Sequence, residues 1–216
     1  MMTPSREDYI KAIFKHNEKG TKLNNKDLSE NLSVSAASTS EMIRKLIDTG
    51  HVDRDKTMGL MLTEEGKNEA KDLVKKHRLW EVFLVNHLGY SWTEVHDDAE
   101  VLEHVTSSKL ADRLNEFLDE PKHCPHGEII FGNSEEVDDS TVSLASLTID
   151  DHGTFQKVSD TGELLEYLEV IKFKLNDDFK VVKKLPYEGP IVVEVNGLEV
   201  SISYHAAQEI FVLKHH

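Results

Sequence analysis

The sequence predicts a mainly α protein with small β parts: an N-terminal winged helix-turn-helix, a helical middle and a C-terminal SH3-like β-barrel. Three observations carry this reading. Apolar residues recur at helical intervals through most of the first 118 positions. A short, charged, glycine-containing hairpin, HVDRDKTMGLMLT, follows the first three helical segments. After residue 143 the texture turns to short β-branched runs.

Tyr9, Ile10, Ile13 and Phe14 share one face of a helix over 5–16. The loop EKGTKLNN leads to a short helix in KDLSENLSV, with Leu28 and Leu32 as its inner residues. In SAASTSEMIRKLIDTG, Ile43, Leu46 and Ile47 line one face, Ser35 or Ser38 can cap the start, and Gly50 marks the stop. Ser38 and Glu41 also have capping-box spacing. With the hairpin as wing, the third helix would bring Ser35, Ala37, Ser38, Thr39, Ser40, Arg44 and Lys45 to a major groove. Small hydroxyl residues there let the backbone approach phosphates and bases. A three-helix cap with a hairpin and no DNA role fits the same pattern.

From Thr63 one long helix runs to Gly89, with Leu73, Val74, Trp80, Phe83 and Leu84 as core candidates. A helix over 93–106 and another in TSSKLADRLNEFLDE, stopping before Pro121, complete the middle. Its apolar surplus over 80–118 exceeds the need of one small domain and points to a self-association face. GNSEEVDDSTVS reads as a linker. FKVVKKL, PIVVEVNGLEVSI and EIFVL are the expected strands, Asn196-Gly197 a hairpin turn and GELLEYLEV one helix. The domain boundaries implied are 1–74, 75–128, a linker at 129–142, and 143–216.

The net charge of −15 disfavours nucleic acid only until its distribution is examined. Residues 1–75 balance 13 basic against 13 acidic residues, so all the excess acidity follows. A neutral head on an acidic body suits a DNA-binding head restrained by its own chain, and cation capture would lower that charge. No apolar run approaches the ~18 residues of a membrane span, and the polar, then amphipathic start suits a cytoplasmic protein. A single cysteine, Cys124, excludes an internal disulfide framework.

HDDAEVLEHV, residues 96–105, decides whether there is chemistry. At about 100° per residue, His96, Glu100, Glu103 and His104 fall in one sector. Carboxylates and an imidazole so placed can meet one cation. An ordinary polar helix face fits the angles equally well. His77 and Glu81, one turn apart on the preceding helix, and the loop pair Cys124 and His126 tilt the balance towards metal. No His-Glu-x-x-His, paired Glu-x-x-His, phosphate loop or nucleophile motif is present, so catalysis has no support.

TPSREDYIKAI, the helix-turn-helix, KKHRLWEVFLVNHLGY, HDDAEVLEHV, PKHCPHGEI and the β-rich end together resemble the diphtheria-toxin-repressor family. Within it the chain is most similar to the long, three-domain manganese regulators (the ScaR and SloR type). The resemblance implies an FeoA-type C-terminal domain and metal ligands at Asp8, Glu100, Glu103, His104 and His77. It implies a further site at Glu81, Cys124, His126 and an aspartate, for which Asp160 is the candidate and Glu163 the runner-up. Oxygen donors where iron-type members carry sulfur favour Mn²⁺, with Fe²⁺ or Zn²⁺ as alternatives. Lys11 stands where two-domain manganese members carry a bridging glutamate, which favours two separate sites over a close pair. The helix start SAAST lacks the family's usual proline. The implied function is a homodimeric, Mn²⁺-activated repressor on palindromic operator DNA, controlling metal uptake. The alternatives are an iron- or zinc-responsive regulator, or a metal-binding module without DNA function. His215 and His216 are assigned nothing, and His96 is left as a support for the ligands.

Overall fold

The computed structural model describes residues 5–134 and 140–215. It divides into two compact units, one of residues 1–77 with 101–107, the other of residues 78–100 with 108–216.

In the first unit, helix α1 (Arg6–Glu18) starts where Ser5 and Asp8 cap each other's backbone amides. It buries Tyr9, Ile10, Ile13 and Phe14, as their spacing requires. Helix α2 (Asn25–Asn31) buries Leu28 but leaves Leu32 half-exposed. Helix α3 (Ala36–Asp48) is capped by Ser35, which accepts from the Ser38 amide. Ser38 is therefore inside the helix and no cap. Ile43 and Leu46 are fully buried. Strands β1 (Val52–Asp55) and β2 (Gly59–Leu62) form the antiparallel wing. The wing is pinned at Leu23, whose carbonyl accepts from the Leu60 amide at 2.9 Å. Gly59, at φ +83°, brings its backbone so close that a β-carbon would lie 2.1 Å from the Leu23 carbonyl oxygen.

Helix α4 (Glu64–Leu88) ends at Gly89, φ +75°. Its core residues include Leu79 and Val82, as well as the expected Leu73, Val74 and Leu84. Helices α5 (Val95–Val105) and α6 (Ser108–Phe117) follow. In the second unit Leu79, Val82, Leu114, Cys124 and Ile130 form one apolar cluster, against which Trp80, Phe83 and Leu118 pack.

The interval 129–142 departs from a plain linker. Ile130 is fully buried and its amide donates to the Lys122 carbonyl at 2.8 Å. Strand β3 (Thr141–Ser143) opens inside its far end. Most of the acidic stretch, 135–139, lies outside the described residues. Ile130 docks the near end by taking its apolar side chain out of water, and the Asn133 side-chain amide adds hydrogen bonds to the Asn115 side chain at 2.6 Å and the Pro121 carbonyl at 2.9 Å.

The C-terminal sheet adds β4 (His152–Val158), β5 (Asp178–Lys184), β6 (Ile191–Val195), β7 (Leu198–Ile202) and β8 (Ile210–Lys214). Its six antiparallel strands run in the order β3-β8-β4-β5-β6-β7. Register shifts at Phe155/Lys157 and Val181/Lys183 bend it. Asn196 and Gly197, both at positive φ, make the expected hairpin turn. Helix α7 (Gly162–Val170) and the short α8 (Tyr204–Gln208) supply Leu164, Leu165, Leu168, Ala206 and Ala207 to a core centred on Phe155, Val181, Val193 and Val212.

Candidate metal centre

Two clusters of ligand-type side chains stand out, one in each unit. The first lies where α1 meets the last turn of α5. Asp8 and Lys11 are one turn apart on α1, and Glu103 and His104 are neighbours on α5. The His104 Nε2 lies 2.9 Å from Asp8 Oδ1 and 3.7 Å from Glu103 Oε1. Its Nδ1 lies 2.6 Å from Glu7 Oε2. Burial disfavours the imidazolium, but the Glu7 hydrogen bond and the charges of Asp8, Glu103 and Glu7 outweigh it and raise the His104 pKa above the ordinary histidine value. The group thus gathers the carboxylates of Asp8, Glu103 and Glu7 around one ring. Glu103 is buried, with Lys11 Nζ at 2.8 and 2.7 Å from its two oxygens and His77 Nδ1 2.5 Å from Oε2. Glu100 stands on α5 one turn before Glu103 and His104, where helical spacing turns it to the same side.

The second cluster lies wholly in the second unit. Glu81, Cys124 and His126 are all buried, and each offers a ligand atom within 4.8 Å of the others. His126 Nδ1 is 3.3 Å from Glu81 Oε1. A tight turn makes this possible: the Gly127 amide donates to the Cys124 carbonyl at 2.9 Å, and the Cys124 amide to Glu128 at 2.8 Å. Burial and the Glu81 charge push the Cys124 thiol well above its usual pKa, so without a cation it stays protonated. Glu81, His96 and Asp160 likewise offer atoms within 4.8 Å of one another, and His96 Nδ1 is 3.1 Å from Asp160. Glu163, the runner-up, is exposed. His77 stands one turn before Glu81 on α4.

Both donor sets fit a metal ion. Carboxylate oxygens with one imidazole suit a hard divalent cation, while a thiol, an imidazole and carboxylates accept a wider range. Two residues not counted among the ligands in the sequence lie beside these clusters, Glu7 at His104 and His96 at Asp160. Glu7 carries no signal beyond its place beside Asp8. His96 had one, since it falls in the same helical sector as Glu100.

Of the residues expected at a DNA groove, Ser35, Ala37, Ser38, Ser40, Arg44 and Lys45 are exposed on α3. Thr39 is not. It is fully buried, with its hydroxyl donating to the Ser35 carbonyl at 3.2 Å, because its place on the helix is that of Ile43 one turn on. Lys45 pairs with Glu41 at 2.8 Å, an exposed contact that DNA phosphates can replace.

Comparison with known proteins agrees with this architecture. Residues 1–60 match the N-terminal DNA-binding domain of the iron-dependent repressors, 63–132 their metal-binding and dimerisation domain, and 142–214 the FeoA domain. The HTH-type transcriptional regulator MntR of Bacillus pumilus is 36% identical over 118 residues, 55% of this chain and 81% of that protein. Among solved structures, the manganese regulator SloR is 37% identical with a TM-score of 0.83, covering 99% of this chain and 100% of that one. A manganese-dependent transcriptional repressor complexed with manganese is 36% identical with a TM-score of 0.89, covering 98% and 100%. ScaR with bound Cd²⁺ is 35% identical with a TM-score of 0.84, covering 97% and 99%. Domain for domain and over its whole length, the chain belongs to the diphtheria-toxin-repressor (DtxR/MntR) family of metal-dependent repressors, which are not enzymes.

Proposed function

We propose that this chain is a homodimeric, Mn²⁺-activated transcriptional repressor that binds palindromic operator DNA and controls genes for metal-ion uptake. The observation that carries this is the approach of His104 on α5 to Asp8 on α1, at 2.9 Å. Helix α1 belongs to the DNA-binding segment and α5 to the metal-binding and dimerisation segment. Asp8, Glu103 and His104, with Glu100 one turn back on α5, would hold an ion of preferred hardness. Glu81, Cys124, His126 and Asp160 would hold a second, with His96 beside them and His77 one turn from Glu81.

When bound, the ion supplies a charge that ties carboxylates of one segment to those of the other. The chain's own residues do the rest. Asp8 and His104 tie α1 to the last turn of α5. Ser35, Ala37, Ser38, Ser40, Arg44 and Lys45 meet the groove. In a dimer the two α3 helices must sit about one helical turn of DNA apart, ~34–36 Å. An ion promotes DNA binding only by preferring the state with that spacing. Exposed Leu88, Leu110 and Phe117 in the second unit are the apolar surface we assign to self-association. We keep the division into a head at 1–74, a middle at 75–128 and a C-terminal domain at 143–216. No helix among the described residues is long and apolar enough to cross a membrane, and work on operator DNA would place the protein in the cytoplasm.

The test is operator binding by mobility shift with and without Mn²⁺. Wild type should shift only with metal, and Glu103→Ala and His104→Ala should lose that response. Equal binding by both variants without metal would end the proposal.

Cys124 supports a second reading, an iron- or zinc-responsive regulator, because a buried thiol beside an imidazole favours softer ions. Titrating each metal against operator binding separates the two. Under either reading Cys124→Ser should weaken the second ion's binding, measured by calorimetry, and leave the chain folded. Wild-type affinity for two ions in that variant would remove Cys124 from the ligands.

A further inference from the structure

The net charge of −15 arises entirely after residue 75, yet the loop after α7 carries two lysines without a counter-charge. Lys172 and Lys174 are exposed on either side of Phe173, and neither pairs with a carboxylate among the described residues. Helix α7 ends there in a Schellman turn. The Phe173 amide donates to the Leu168 carbonyl at 2.9 Å, and the Lys172 amide to that of Glu169 at 3.0 Å. Lys172 is the left-handed residue of this turn, at φ +56°. Glycine is usual at that place because it has no β-carbon to strain. A cation gains a little from the helix dipole, but a lysine elsewhere in the last turn would gain as much without strain. What Lys172 adds is an ammonium at this one spot.

Both lysines line an open cleft of about 590 Å³, together with Trp92, Phe173, Leu175 and Glu169. Small-molecule sites commonly span ~300–1,000 Å³ and combine apolar walls with a few polar groups. The walls here are held in advance. Phe173 packs on Phe155 with ring centroids 4.6 Å apart, and Leu175 and Trp92 rest on the same C-terminal core. Trp92 also meets the His126 ring edge-on at 5.5 Å. Glu169 accepts from the Thr93 amide at 3.4 Å, so its carboxylate is engaged away from the lysines. Two ammoniums thus outnumber one carboxylate beside an aromatic wall.

We propose that this cleft binds a small aromatic anion, a planar ring carrying a carboxylate or a phosphate. The ring lies against Trp92, since aromatic rings attract one another in offset or edge-on packing. The acid lies between Lys172 and Lys174. An ammonium is a compact point charge that imposes no fork geometry, so the pair accepts either acid. The assignment uses neither metal cluster and stands or falls without them.

The chain has two tryptophans, Trp80 and Trp92. The ¹⁵N NMR spectrum of the metal-free, full-length chain therefore has two indole signals, one of them a control, and Trp92→Phe assigns them. The probes are naphthoate and adenosine monophosphate. Acetate and naphthylmethanol carry only the charge or only the ring. At least one of the two aromatic acids should move the Trp92 signal and leave that of Trp80 in place, and the tighter binder identifies the preferred acid. Acetate and naphthylmethanol should bind at least tenfold more weakly. Lys172→Gln/Lys174→Gln should lose tenfold or more in affinity for the better probe. Lys172→Gly should lose affinity too, yet melt no lower than wild type, because glycine relaxes the turn. A Trp92 signal unmoved by either aromatic acid at millimolar concentration would overturn the proposal. So would wild-type affinity in the double variant, or naphthylmethanol binding as tightly as naphthoate, since either would leave the lysines without a role.

Discussion

Replacing Glu103 with alanine is expected to destabilise the metal-free protein by about 3–5 kcal/mol, the usual cost of breaking a buried charge pair from one side. The loss comes from what remains. Lys11 would keep its charge in a site that is 5% exposed, and His77 would lose the carboxylate at its Nδ1. Urea denaturation in chelator measures the effect. Glu103→Gln should cost less, because an amide oxygen still accepts from Lys11. The double variant Lys11→Met/Glu103→Leu should recover much of the loss, since apolar residues of similar volume often replace a buried pair without penalty. A loss below about 1 kcal/mol in Glu103→Ala, the range of an exposed pair, would mean that the ammonium reaches water and is not held by this carboxylate.

Gly127→Ala should disable the second cluster while sparing the first. Gly127 has φ +85°, and a β-carbon there would lie 2.1 Å from the Gln156 carbonyl oxygen and 2.8 Å from Lys157 Cα. Both are backbone of β4 and cannot swing aside, so the turn must lift from the strand. Lifting breaks the bond from the Val158 amide to the His126 carbonyl, now 3.0 Å, and carries His126 and Cys124 away from Glu81. The left-handed conformation alone costs an alanine about 1–3 kcal/mol. Affinity for the second ion should therefore fall by tenfold or more, about 1.4 kcal/mol, in a calorimetric titration. The first ion should bind as before. Unchanged binding of both would show that the turn's seat on β4 does not shape the cluster.

How far the sequence alone revealed this varied with the kind of signal. Helices α1, α3 and α4 were legible because their apolar residues repeat at helical intervals, and the Asn196-Gly197 turn because few other residue pairs tolerate positive φ twice. Strand β4 was not legible. HGTFQKV is neither strongly apolar nor cleanly alternating, and only Phe155 and Val158 bind it to the core. Thr39 was misplaced because a hydroxyl at a helix start suggests a groove contact, while its angular position beside Ile43 decides its burial. Among the ligand candidates, Glu103, His104, Glu81, Cys124 and His126 could be named from spacing and resemblance. What spacing could not reveal is how Lys11 is used, because the value of a buried lysine depends on a carboxylate 92 positions away.

The first cluster also has a mechanical meaning. Asp8 and Lys11, one turn apart on α1, carry opposite charges, and each meets its own neighbour on α5: Asp8 meets His104 and Lys11 meets Glu103. A single contact would leave α1 free to pivot about it. Two contacts of opposite polarity, staggered along the axis, act as a keyway. Sliding α1 by one residue means a rise of about 1.5 Å and a turn of about 100°. That motion would part both pairs at once and bring Lys11 towards an imidazolium or Asp8 towards a carboxylate. The helix can therefore be seated against α5 in only one screw position, and any signal that travels along it starts from a defined phase.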